Sequence, residues 1–133
     1  MRLLASEKQA LPKLSGGEQQ RVNLARALVQ LCQANEQGCL LLDEAFSAQD
    51  LGQQNYLLGM LGELAREKNL TVFAVLHDLD QVLNYCDNAL LIDNGKLVDF
   101  GHPKEVITRE NLSKSWNYSA EFSQTKSGRM VVV

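Results

Sequence analysis

The stretch Leu14-Ser15-Gly16-Gly17-Glu18-Gln19-Gln20-Arg21 constrains this chain more than any other. Ser15 followed three residues later by Glu18 is the pattern of a capping box. In that motif the serine hydroxyl and the glutamate carboxylate each take up a backbone N–H that a helix start leaves open. Val22, Ala25, Leu28, Val29 and Cys32 then recur at helical spacing, which predicts a helix with that face buried. Gly16 and Gly17 carry no Cβ, so a ligand can come close to the backbone at the end where the helix dipole is positive. Together with the Ser15 hydroxyl they make a surface able to take phosphate without a positive side chain.

Downstream, apolar runs alternate with helical periodicities. Asn35 to Gly38 is a polar turn, and Cys39-Leu40-Leu41-Leu42 predicts a strand buried on both faces of a parallel sheet. That strand runs into Asp43-Glu44. A second helix is expected from about Leu51 to Lys68, with Leu57, Leu58, Leu61, Leu64 and Ala65 as its core stripe and Asn69 as its stop. Thr71 to Leu76 predicts the next buried strand, leading to His77-Asp78 and a short helix over Leu79 to Tyr85. Asn88–Ile92 and Lys96–Phe100 read as two strands joined by Asp93-Asn94-Gly95, a strong hairpin signal. Pro103 opens a short helix through Ile107, Asn111 to Trp116 predicts another, and Met130 to Val133 a single edge strand. Met1 to Lys13 reads as the tail of a helical segment whose beginning is cut away. The alternation predicts an α/β fold, with its site at the C-terminal ends of the strands.

Composition excludes several classes. The 133 residues allow at most one domain with a modest core. A formal charge of −3 offers no basic face for a nucleic-acid backbone. No apolar run nears the roughly 20 residues of a membrane span. Cys32, Cys39 and Cys86 are odd in number and unpaired in spacing, so they read as reduced core cysteines of a cytosolic protein.

Two adjacent carboxylates at the end of a buried strand repel each other and are desolvated, so Asp43 and Glu44 call for something cationic beside them. His77, at the end of the following strand, is able to contact an anion and a water as a neutral imidazole. His102, beside Pro103 on a turn, is expected to face solvent.

The order of LSGGEQQR, Asp43-Glu44, Ser47-Ala48-Gln49-Asp50 and His77 resembles ABC-type ATPases from Leu14 to the C-terminus. That resemblance implies ATP and Mg²⁺ as cofactors. Asp43 would hold Mg²⁺ through water, Glu44 would polarise the water attacking the γ-phosphate, and His77 would contact both. Ser15, Gly16, Gly17 and Gln19 would face a nucleotide bound by the opposite subunit of a head-to-tail homodimer. Asp50 falls in the dimer-contacting loop and also suits the N-cap of the next helix. Three positions depart from the family pattern: Ala45 stands in place of proline, Phe46 where a small polar residue is usual, and Gln49 in place of leucine.

No G-x-x-x-x-G-K-[ST] occurs in the 133 residues, so the phosphate-cradling loop is absent, as are the adenine-stacking aromatic and the glutamine loop. The chain therefore looks like the C-terminal part of a P-loop NTPase domain, one partial domain over 1–133, mainly a parallel sheet flanked by helices with a C-terminal β-hairpin. The run from Leu91 to Ile107 resembles the end of importer ATPases, and Asn111-Leu112 with Trp116-Asn117-Tyr118 and Gly128-Arg129-Met130 is similar to the tails of those serving vitamin B12, ferric siderophore and haemin uptake. The implied partners are a second ATPase subunit and transmembrane permease subunits, with no nucleic acid, at the cytoplasmic side of a bacterial inner membrane. Alone, the chain is expected to lack ATPase activity and to self-associate through its sheet. The rival reading is a non-catalytic interaction module derived from such a protein. A chromosome-maintenance or DNA-repair ABC ATPase is disfavoured by the importer-like tail.

Overall fold

Helix starts and stops follow the local chemistry closely. The computed structural model describes residues 13–34 and 37–133. Eleven elements follow in order: α1 (Gly16–Gln33), β1 (Cys39–Asp43), α2 (Leu51–Lys68), β2 (Thr71–Val75), α3 (Leu79–Tyr85), β3 (Ala89–Asp93), β4 (Lys96–Gly101), α4 (Pro103–Val106), α5 (Arg109–Trp116), β5 (Phe122–Gln124) and β6 (Met130–Val132). They fall into two compact units, the first ending at Val75 and the second Leu76–Val133.

In the first unit, β1 and β2 pair in parallel, with Cys39 opposite Thr71 and Asp43 opposite Val75. A parallel pair needs a crossover helix, which α2 provides. Asp50 is its N-cap, accepting from the Gln53 N–H at 2.9 Å, and Asn69 closes it in the left-handed region at φ 51. Asparagine is one of the few residues tolerated there. Leu57, Leu58 and Leu61 of α2 are buried, as are Leu24 of α1, Leu40 and Leu42 of β1, and Phe46.

Several expectations are corrected here. β1 is buried on one face only: Leu40 and Leu42 point inward while Leu41 is 76% exposed. An uninterrupted apolar run does not report which face of a two-stranded sheet another layer covers. The buried position of α1 is Leu24; Val29 and Cys32, at the far end of the expected stripe, are exposed. Cys32 and Cys39 are therefore surface thiols, and Cys86 is half-buried, its thiol held above the usual range mainly by burial and also by the Asp87 carboxylate. The leader up to Pro12, and Asn35 and Glu36 of the polar turn, lie outside the described residues.

The second unit packs Leu83, Ala89, Leu91, Val106, Ile107, Leu112 and Ala120 into one core. β3 and β4 form the expected antiparallel hairpin, turning at Asn94 (φ 47) and Gly95 (φ 73). Two consecutive left-handed residues make the type I′ geometry that suits strand twist. α5 begins at Arg109, two residues before its expected start at Asn111, because the Thr108 hydroxyl caps it by accepting from the Asn111 N–H at 3.2 Å. In place of one edge strand there is a second hairpin, β5–β6. Asn84 and Asp80 of α3 hold β6: Asn84 bonds both the N–H and the C=O of Met130, and Asp80 accepts from the Val132 N–H at 2.7 Å. The class is α/β, and the parallel component among the described residues is the β1–β2 pair.

Candidate functional site

The capping box at α1 forms as its residue types dictate. The Ser15 N–H donates to Glu18 Oε2 at 2.8 Å, and the Glu18 N–H donates to Ser15 Oγ at 3.3 Å. These bonds hold the Glu18 carboxyl below its usual range, the backbone bond from Ser15 being the larger cause. The N–H groups of Gly16 and Gly17 occupy the first two helical positions, which an α-helix does not satisfy internally. Gln19 Nε2 donates to the Leu14 carbonyl at 3.0 Å.

The first turn of α1 lies against the loop that follows β1. A Cβ built on Gly17 would meet the Ala48 carbonyl oxygen and Gln49 Nε2, each at 3.0 Å, so a side chain there would force the loop back by a few tenths of an ångström. Gln20 Nε2 donates to the Glu44 carbonyl at 3.2 Å and to Ser47 Oγ at 3.0 Å, while its Oε1 accepts from the Ala48 N–H at 3.2 Å. Gln49 Nε2 donates to the Gly17 carbonyl at 2.6 Å, and its Oε1 accepts from Arg21 Nη1 at 2.7 Å. Gln54, one turn into α2, donates to the carbonyls of Phe46 and Gln49. Phe46 fills the interior beneath the loop at 5% exposure.

Asp43 ends β1 and Glu44 follows it at φ 50, a left-handed backbone uncommon for a residue with a side chain. Such strain persists only where neighbours hold it, and here Gln20 and the Ser47 N–H both bond the Glu44 carbonyl. Both Asp43 and Glu44 are exposed. Ser15, Gly16, Gly17, Gln19, Asp43, Glu44 and Asp50 thus all lie in the first unit. His77, exposed and two residues beyond β2, lies in the second, followed by Asp78 as the N-cap of α3. His102 is exposed and caps α4, its Nδ1 accepting from the Lys104 N–H at 3.3 Å.

Among the described residues no cluster of three or more His, Cys, Asp or Glu could hold a metal by protein ligands alone. One exposed strand-end carboxylate suits Mg²⁺ nonetheless, because that ion keeps several waters and takes its remaining ligands from phosphates. The capped glycine start of α1 likewise suits an anion.

Sequence reasoning missed the amide side chains that hold this loop. Gln20 and Arg21 sit inside the Leu14–Arg21 run, and Gln49 is a departure from the family pattern, but partners 24 to 32 residues away leave no periodic trace.

No family model matches the chain. It is 48% identical over 125 residues, 94% of its length, to the hemin import ATP-binding protein HmuV of Shewanella denitrificans, covering 49% of that protein. To the HmuV proteins of Vibrio cholerae and Vibrio parahaemolyticus it is 43% identical, over 82% and 80% of its own length and 42% and 41% of theirs. The chain spans about half the length of the curated relatives it matches. Among solved structures it is similar to one described as an inward-facing conformation of a metal-chelate type ABC transporter, with TM-score 0.74 and 30% identity over 95% of this chain and 50% of that one. CbiO1 of Clostridium perfringens, part of the ABC transporter complex CbiONQ, gives TM-score 0.62 and 29% identity over 82% of this chain and 41% of that one.

Proposed function

Because this chain belongs to the ATP-binding proteins of ABC transporters by sequence and by fold, we propose that it supplies the C-terminal part of an importer ATPase that couples ATP hydrolysis to uptake of haemin, vitamin B12 or a ferric siderophore. Haemin is favoured because the relatives at 39–48% identity are hemin import ATP-binding proteins. The observation that carries the reading is the first turn of α1 held by amide side chains against the loop beginning at Glu44. One backbone framework thereby presents both an anion-binding helix start and a strand-end carboxylate pair.

In this proposal Asp43 holds Mg²⁺ through water, and Glu44 orients the water that attacks the γ-phosphate. The metal, when bound, neutralises charge gathering on the phosphate oxygens. Glu44 suits a water-orienting role because its carbonyl accepts from both Gln20 and the Ser47 N–H and the residue is exposed. His77 contacts the γ-phosphate. Ser15, Gly16 and Gly17, with Gln19, form the surface that meets a nucleotide on a second subunit, and Asp50 lies in the contact between subunits. No helix among the described residues is long and apolar enough to cross a membrane. The proposed location is the cytoplasmic side of an inner membrane, docked on permease subunits.

For the 133-residue chain on its own we propose no turnover, since its sequence carries no phosphate loop. Its sheet faces support self-association in that form. Leu41 and Phe73, paired across β1–β2, are 76% and 49% exposed, and Val75 is 53% exposed beside them. The same exposed faces favour the second reading, an interaction module without catalysis.

Calorimetric titration of Mg·ATP, without and with a supplied N-terminal half carrying the phosphate loop, tests the proposal. The chain alone should show no binding below millimolar nucleotide. The pair should bind in the micromolar range. Micromolar binding by the chain alone would overturn the assignment of phosphate binding to the other half.

A further inference from the structure

We infer that Gln49 is a positioning residue, a carboxamide brace that makes the first turn of α1 and the loop carrying Glu44 move as one body. The two hydrogen bonds it makes run in opposite senses. Its Nε2 donates to the Gly17 carbonyl at 2.6 Å, and its Oε1 accepts from Arg21 Nη1 at 2.7 Å, both in part-buried surroundings. A neutral amide of this reach can donate and accept at once. Leucine at this position can do neither, so the Gly17 carbonyl would keep only its helical bond and the Arg21 guanidinium would lose this acceptor in part-buried surroundings. Glutamate keeps the acceptor for Arg21 and loses the donor to Gly17.

The rest of the loop shows why a brace matters. Its own backbone bonds are few: Ser47 N–H to the Glu44 carbonyl at 3.2 Å and Gln49 N–H to the Phe46 carbonyl at 2.9 Å. Gln20 grips the front of the loop at Glu44, Ser47 and Ala48, and Gln54 grips the back at Phe46 and Gln49. Gln49 is the loop's own side chain reaching back to the helix, and Gly17 clears the space for it. The left-handed backbone at Glu44 lies at the start of a loop held at its front by Gln20 and at its back by Gln49 and Gln54. Displacement of the glycine turn by a bound anion is carried to the end of the loop through Gln49 and to Glu44 itself through Gln20.

The kinetic consequence rests on the function proposed above; the brace itself does not. In the ¹⁵N-labelled chain, Gln49→Leu should speed hydrogen exchange at the Ala48 and Gln49 N–H groups about tenfold, a change on the scale of one or two lost hydrogen bonds. It should also shift the Gly17 resonance. Gln49→Glu should give an intermediate exchange rate by keeping the Arg21 contact, and it serves also if the leucine variant fails to fold. In the chain assembled with a phosphate-loop half, Gln49→Leu should lower kcat about tenfold with KM for ATP unchanged, and Gln49→Glu should recover part of the loss. Unchanged exchange at Ala48 and Gln49 in both variants would overturn the brace. Raised exchange with kcat unchanged would overturn its positioning role. Raised exchange in an assembly whose wild type hydrolyses no ATP would leave the brace standing and sink the proposed function.

Discussion

Gly16 and Gly17 are neighbours at the start of one helix, yet alanine should act on them with opposite sign. Replacing glycine by alanine in a helix interior ordinarily gains about 1 kcal/mol, and somewhat less in the first turn. At Gly16 the new methyl would sit 3.6 Å from the Ala48 Cβ, an ordinary contact, so a gain of about 0.5 kcal/mol is expected. At Gly17 it would lie 3.0 Å from both the Ala48 carbonyl oxygen and Gln49 Nε2. The loop must then retreat by a few tenths of an ångström, which loosens the Gln49 bonds to Gly17 and Arg21. Each is worth about 1 kcal/mol net, so losing both outweighs the propensity gain and leaves a deficit of about 1 kcal/mol. The variants should therefore differ by about 1.5 kcal/mol, roughly tenfold in opening equilibrium. Native-state hydrogen exchange at the α1 amides reads this directly and keeps the first unit separate from the second. Equal stability of the two variants, or a more stable Gly17→Ala, would refute the close packing of α1 on the loop.

The Glu18 carboxyl should titrate below its ordinary value of 4.5, because its charged form accepts from Ser15. The stability it lends to α1 is then full above that value and is lost as the pH falls through the lower folded value. Carboxyl NMR should give a midpoint below 4.5, and Ser15→Ala should move it partway back up, since the backbone bond remains; a midpoint at or above 4.5 in the wild type would contradict the capping box. Sedimentation of the 133-residue chain at tens of micromolar should show association, and Leu41→Lys with Phe73→Lys should reduce it. A monodisperse monomer at that concentration would remove the sheet face as a contact surface.

Short-range chemistry was legible in the sequence. Ser15 and Glu18 announced the capping box, Asp50 and Asn69 the ends of α2, and Asn94-Gly95 the hairpin turn, each because the residue and its backbone partner lie within a few positions. Burial was harder to read. Leu40, Leu41 and Leu42 are alike as residues, and only the layer packed on one side of β1 separates the two that are buried from the one that is not. Cys32 and Cys39 were misjudged for the same reason. At the candidate site the residue types were visible in Ser15, Gly16, Gly17, Asp43, Glu44 and His77. The amides of Gln20, Gln49 and Gln54 were not, because their bonds join α1, the loop and α2 across the fold, and polar side chains on a loop look solvent-facing until their partners are seen. The left-handed backbone of Glu44 was equally hidden, since glutamate carries no preference for it.

Glu44 is where the account is most exposed to test. Glu44→Gln in the chain assembled with a phosphate-loop half keeps the side-chain shape and removes the charge proposed to orient the attacking water. Pre-steady-state and steady-state turnover of Mg·ATP should show nucleotide bound with unchanged affinity and hydrolysis abolished. Near-normal hydrolysis by that variant would contradict the assignment of Glu44 as the water-orienting carboxylate.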